Sequence, residues 1–135
     1  MKNIEYLPVK KIKYFLEEFL ISQGWTHEPA GTAVNRDTDI DMKRGDERWI
    51  IEMESPFSLT GLITNSFVSV LGRILQRMDD KNCKYSVALP DIKPFHRLWE
   101  RLPELAKSKI GITALFVDEM GMVTEVENKN TVVLL

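Results

Sequence analysis

The stretch from Thr38 to Ser55, TDIDMKRGDERWIIEMES, constrains this chain more than any other. It alternates in polarity, bends at Lys43-Arg44-Gly45-Asp46-Glu47 and returns through Trp49-Ile50-Ile51, which predicts a β-hairpin with β-branched and aromatic arms. Asp39 and Asp41 are two apart on the outgoing arm, and Glu52 and Glu54 are two apart on the returning arm. The two-residue period of a strand projects each pair from one face. With those faces aligned, four carboxylates converge, and an oxygen-only cluster of that kind suits Mg²⁺ or Mn²⁺. The competing reading is a solvated hairpin face with ordinary surface acids.

At 135 residues the chain has the length of one domain with a core of its own. A net charge of −2 gives no global attraction for nucleic acid, so any basic surface must be local. Cys83 is the one cysteine, which excludes an intrachain disulfide and a thiolate metal cluster and fits a reducing interior. The opening MKNIEYLPVKKIKYF has charges spread through it, unlike a secretory signal, and no stretch approaches the length of a membrane span. The expected location is the cytoplasm.

The spacing of apolar residues predicts a helix over about 8–23, with Val9, Ile12, Phe15, Leu16, Phe19 and Leu20 on one face and Gly24 as its stop. Trp25 to Glu28 reads as a short strand, residues 32–37 are undecided, and Arg48 to Met53 is apolar enough for an interior strand. A second helix is expected over about 66–80, burying Phe67, Val70, Leu71, Ile74, Leu75 and Met78. Gly72 weakens its interior, which a close approach by a backbone or ligand would explain, as would a neutral accident. Tyr85 to Leu89 is a strand. A third helix over about 94–109 buries Phe95, Leu98, Trp99, Leu102, Leu105 and Ala106, with a kink or break at Pro103. Ile112 to Val117 and Met122 to Val126 are strands, and Thr131 to Leu135 is an edge strand or a partner contact. This order predicts a mixed α/β architecture, a central sheet with helices on both faces.

Twelve residues separate Asp39 from the run Glu52-Met53-Glu54-Ser55, and an amphipathic helix ending in Gly24-Trp25 precedes them. The pattern resembles the PD-(D/E)XK restriction-endonuclease-like superfamily, especially its Holliday-junction-resolvase and Mrr-like branches. The resemblance covers roughly residues 8–90 and implies an α-β-β-β-α-β core, leaving about 91–135 as an αββ extension. It also implies a helix after the hairpin carrying Gln near Gly, which Gly72, Gln76 and Arg77 match. The implied activity is Mg²⁺- or Mn²⁺-dependent hydrolysis of DNA. Asp39, Glu52 and Asp41 would be the metal ligands, Asp39, Glu52 and Glu54 the catalytic set, and Lys43, Arg73, Gln76 and Arg77 the phosphate contacts.

The departure is Glu54, which stands where the motif has lysine. That lysine would orient the attacking water and stabilise developing charge, and a glutamate reverses the sign. Glu54 is then an extra metal ligand, or a cation has migrated from elsewhere (Lys43, Lys13, Arg73 or Arg77), or the site is inactive and the fold is kept for binding nucleic acid or a protein. A homodimer through the C-terminal strand or the third helix is a further alternative. Glu17 and Glu18 read as solvated helix positions before they read as metal ligands. His27 and His96 form no HxxxH or HxH pair, which argues against zinc. His96 reads as helix-surface decoration, and Trp25, Trp49 and Trp99, spread over three elements, read as core.

Overall fold

The structure is a computed structural model and describes residues 7–27, 39–56, 62–127 and 132–134. Helix α1 (Val9–Ser22) is followed by β1 (Thr26–His27), β2 (Ile40–Arg44), β3 (Glu47–Met53), α2 (Leu62–Arg77), β4 (Lys84–Pro90), α3 (Lys93–Arg101), α4 (Glu104–Ile110), β5 (Ile112–Val117), β6 (Val123–Val126) and β7 (Val132–Leu134). The undecided stretch 32–37 lies outside the described residues.

All seven strands form one sheet, and their spatial order is their order in the chain. β3, β4 and β5 run parallel, and the remaining pairings are antiparallel. The two parallel pairings need crossovers, which α2 supplies between β3 and β4 and α3 with α4 supply between β4 and β5. α1 covers one face, where Ile12, Leu16 and Leu20 pack on Ile40, Met42, Trp49, Ile51 and Met53. α2 and α3 cover the other, where Phe67, Val70, Ile74, Phe95 and Trp99 pack on Ile50, Val87, Leu89 and Phe116. Elements α1 to β4 reproduce the expected α-β-β-β-α-β order, and the whole is consistent with a restriction-endonuclease-like α/β fold. No described helix is long and apolar enough to cross a membrane.

The expected third helix is two. Leu102 and Pro103 leave the helical conformation, and α4 restarts with a new phase, so Leu105 faces solvent and Lys107 is buried in its place. The stripe on α2 is also narrower than its spacing suggests: Phe67, Val70 and Ile74 are buried, but Leu75 is 49% exposed. The C-terminal segment does form a strand, β7, on β6. His96 is more than decoration, since its ring stacks 3.7 Å from that of Phe116 and its Nε2 lies 2.5 Å from Asp91 Oδ1.

Under the α1 side of the sheet runs a polar row that periodicity does not reveal. Trp49 Nε1 donates to Ser86 Oγ (2.9 Å), the Ser86 and Thr113 hydroxyls bond each other (2.5 Å), and Thr113 donates to Glu125 (2.6 Å). Lys84 Nζ closes the row, 2.9 Å from Glu125 and 3.9 Å over the Trp49 ring. The buried Glu125 carboxylate is thus met by an ammonium and a hydroxyl, which burial of a charge demands.

Two predictions come from this packing. Gly121 has φ +88°, and a Cβ there would lie 2.9 Å from the Phe15 ring, so Gly121→Ala should cost about 2 kcal/mol in urea unfolding. Burial pushes the Lys107 ammonium below its ordinary 10.5. The unfolded chain then holds that proton where the folded one has lost it, so stability should rise with pH between the lowered value and 10.5. Urea titrations across that window should show the rise in the wild type and lose it in Lys107→Met.

Candidate functional site

The β2–β3 register places the site. Ile40 pairs with Ile51 and Asp41 with Ile50, so the ladder extended by one step sets Asp39 opposite Glu52. Because Ile40 and Ile51 point into the α1 core, Asp39 and Glu52 point toward α2. Asp39 is pinned twice: its Oδ2 accepts from Met53 N at 3.0 Å, and its own N–H donates to Glu52 Oε2 at 3.4 Å. Glu52 is 1% exposed. Glu54, the next residue of the same parity, follows just past the end of β3.

Arg73 of α2 enters the middle of this group. Its Nε donates to Glu52 Oε1 (3.1 Å), its Nη1 to Glu54 Oε2 (3.0 Å) and to Ser69 Oγ (2.9 Å), and its Nη2 to the Met53 carbonyl (2.5 Å). Asp39 Oδ2 lies 3.8 Å from Nη2. Arg77, one helical turn on, reaches the other oxygen of Glu52 at 3.4 Å. Arginine suits the position because its planar fork serves several oxygens at once, and it keeps its proton when partly buried. Contacts to Glu54 and Glu52 hold the Arg73 guanidinium above its ordinary value against the cost of burial. Glu52 is pushed the other way from a comfortable carboxylate: burial and then the neighbouring Asp39 charge raise it above the ordinary 4.5, opposed by Arg73 and Arg77.

Three of the four hairpin acids therefore come together, around a guanidinium. Asp41 is engaged elsewhere, in a fork-to-fork pair with Arg48 at 2.8 and 2.6 Å. Lys43 and Gln76 are exposed, and Lys43 sits opposite Arg48 near the hairpin turn. Glu17 lies 3.7 Å from His27 on α1, the helix of the opposite face. Of the residues named as phosphate contacts, Arg73 and Arg77 are the two that meet the acids. Ser69 and Arg48 were not singled out in the sequence. The i, i+4 spacing of Ser69 to Arg73 was there to be read, but nothing in the sequence announces which acid Arg48 meets. A cavity of about 550 Å³ opens on the α1 side, lined by Trp25, Arg44, Trp49 and Lys84 among others, and none of the clustered acids lines it.

The donor chemistry suits a hard cation, since Asp39, Glu52, Glu54 and the Met53 carbonyl supply only oxygen. The arrangement does not. A divalent ion needs several of those oxygens open toward one point, and here Arg73 and Arg77 take both oxygens of Glu52 while Arg73 takes one of Glu54. Among the described residues no group of three or more His, Cys, Asp or Glu is arranged to hold a metal.

No protein-family model and no curated protein matches the chain. A solved structure does: an XisH family protein from Nostoc punctiforme PCC 73102 is similar at a TM-score of 0.57 and 17% identity, with 83% of this chain and 94% of that one covered. At that identity the likeness is one of fold.

Two variants test the electrostatics. Asp39→Asn removes the charge that disfavours ionised Glu52, so carbon-detected NMR titration should show Glu52 moving back toward 4.5. Arg73→Ala should raise Glu52 further and cost about 3 kcal/mol, the low end for breaking a buried pair, because Arg73 is one-third exposed and Arg77 still faces Glu52. A raised folded value contributes stability below 4.5 that is lost as pH climbs through it, so the deficit of Arg73→Ala should be smallest in acid.

Proposed function

We propose that this chain is a nuclease-fold module that binds without cleaving, with Arg73 standing where a metal ion and the motif lysine would act. The observation that carries the reading is the engagement of all three guanidinium nitrogens of Arg73 by Glu52, Glu54 and the Met53 carbonyl. An endonuclease of the PD-(D/E)XK kind needs carboxylate oxygens free for Mg²⁺ or Mn²⁺ and a cation free to meet the water and the scissile phosphate. Here the acids and the cation satisfy one another. Of the three accounts of Glu54, the migrated cation and the inactive site merge: the cation has moved to α2, and its arrival closes the site.

The charge balance supports a protein partner in preference to DNA. Asp39, Asp41, Glu52 and Glu54 share their side of the hairpin with Lys43, Arg48, Arg73 and Arg77, so each acid is matched by a cation. A surface without net positive charge gains little from releasing the counterions of a polyphosphate.

Plasmid nicking with Mg²⁺ and with Mn²⁺, paired with calorimetric titration of each ion, tests the reading. The expected result is no nicking and no heat of binding in the millimolar range. Nicking that requires either ion and disappears in Glu52→Ala would overturn it and restore the hydrolase.

A further inference from the structure

The outer side of the α2–α3 layer carries two features that the carboxylate site does not use. On α2, Val68 and Leu75 are 62% and 49% exposed, seven residues apart on one stripe, and Gly72 lies between them. A Cβ built on Gly72 meets nothing within 4 Å, so no part of the described chain accounts for the missing side chain. On α3, Lys93, Arg97 and Arg101 recur every four residues, all exposed, and none takes part in an ion pair among the described residues. Elsewhere Arg44, Arg48, Arg73, Arg77 and Lys84 each meet a carboxylate. The two helices pack together, and their partly buried Leu71 and Leu98 join the same core.

We infer that the α2–α3 face is a docking site for an acidic amphipathic helix of another protein. The paired helices present two exposed rows, apolar Val68 and Leu75 from α2 and a ladder of cations from α3. Gly72 lets a third backbone approach more closely than a side chain would permit. An incoming helix with leucine-type residues toward α2 and carboxylates one turn apart toward α3 matches both rows, since a four-residue repeat on one helix can meet a four-residue repeat on its neighbour. Duplex DNA matches only one. It would cover Val68 and Leu75 against phosphate, and Glu100 sits within the cationic ridge. The proposal stands on residues separate from the carboxylate cluster, so it can fail while the closed site holds, and the reverse.

The test is fluorescence anisotropy with a designed helical peptide, leucines on one face and glutamates along one edge, against the full chain. A copy with lysine for glutamate, a short DNA duplex and anionic phosphatidylserine vesicles serve as comparison probes. The informative variant is Gly72→Leu, which has room in the fold and improves helix propensity, so its Tm should hold or rise while close approach to the α2 face is blocked. Arg97→Glu with Arg101→Glu removes the ladder. Saturable binding of the acidic peptide, weakened about tenfold or more by each change and absent with the lysine copy, is the expected result. Equal binding of both peptides, no binding, or indifference to Gly72→Leu overturns the proposal. So does a preference for DNA or vesicles that Arg97→Glu with Arg101→Glu abolishes.

Discussion

A carboxylate buried to 1% exposure between two strands and a helix is the constraint on which this architecture turns. Glu52 lies in β3, a strand flanked on both sides, with the like charge of Asp39 across the extended ladder. An isolated charge there would cost several kcal/mol, so something positive must reach it from the one direction left open. That direction is occupied by α2. Arg73 and Arg77 supply that positive charge, and the Arg73 fork ties α2 to the end of β3, since it binds the Met53 carbonyl as well as the acids. Packing of Phe67, Val70 and Ile74 buries the apolar face of α2, and the guanidinium joins the same helix to Glu52, Glu54 and the Met53 carbonyl.

The Lys84–Glu125 row answers the same demand on the opposite face. Both are charges set in the sheet and both are closed by neighbours. They differ in construction: the row runs from strand to strand through hydroxyls, so it ties β3, β4, β5 and β6 across their ladders, whereas the Arg73 cluster ties a helix to a hairpin. Removing a middle member such as Thr113 would take the hydroxyl partner from Ser86 and one donor from Glu125, leaving Lys84 alone to meet the carboxylate.

Much of this was legible beforehand, for reasons that particular residues make plain. The hairpin could be read because Gly45 breaks an alternating run, and its φ of +60° begins a two-residue turn between Arg44 and Glu47. Apolar spacing along the chain anticipated the order from α1 to β4, and the resemblance carried by Asp39, Glu52 and the helix ending at Gly24-Trp25 implies the same order. What escaped was phase. Pro103 was read as a kink or break, but periodicity continued through it places Leu105 inward, and the restart after Leu102 turns Lys107 inward instead. Convergence of Asp41 with the other acids failed because period 2 assigns a face and does not choose a partner: Arg48, on the adjacent strand, was nearer to hand. Arg73 was among the migrated cations considered, but that it would bind Glu52, Glu54 and the Met53 carbonyl together depends on the placement of α2 over the sheet, which no local pattern encodes.

The strand order carries a consequence for how the molecule comes to be. Every strand pairs with those directly before and after it in the chain, so no strand waits for a distant partner and none is inserted between two already joined. The β2–β3, β5–β6 and β6–β7 pairs close across two to five residues and the two parallel steps close across helical crossovers, which keeps the entropy of those closures small. A sheet of this kind can lengthen from its amino-terminal edge as a ribosome delivers it, each new strand finding its template already laid down.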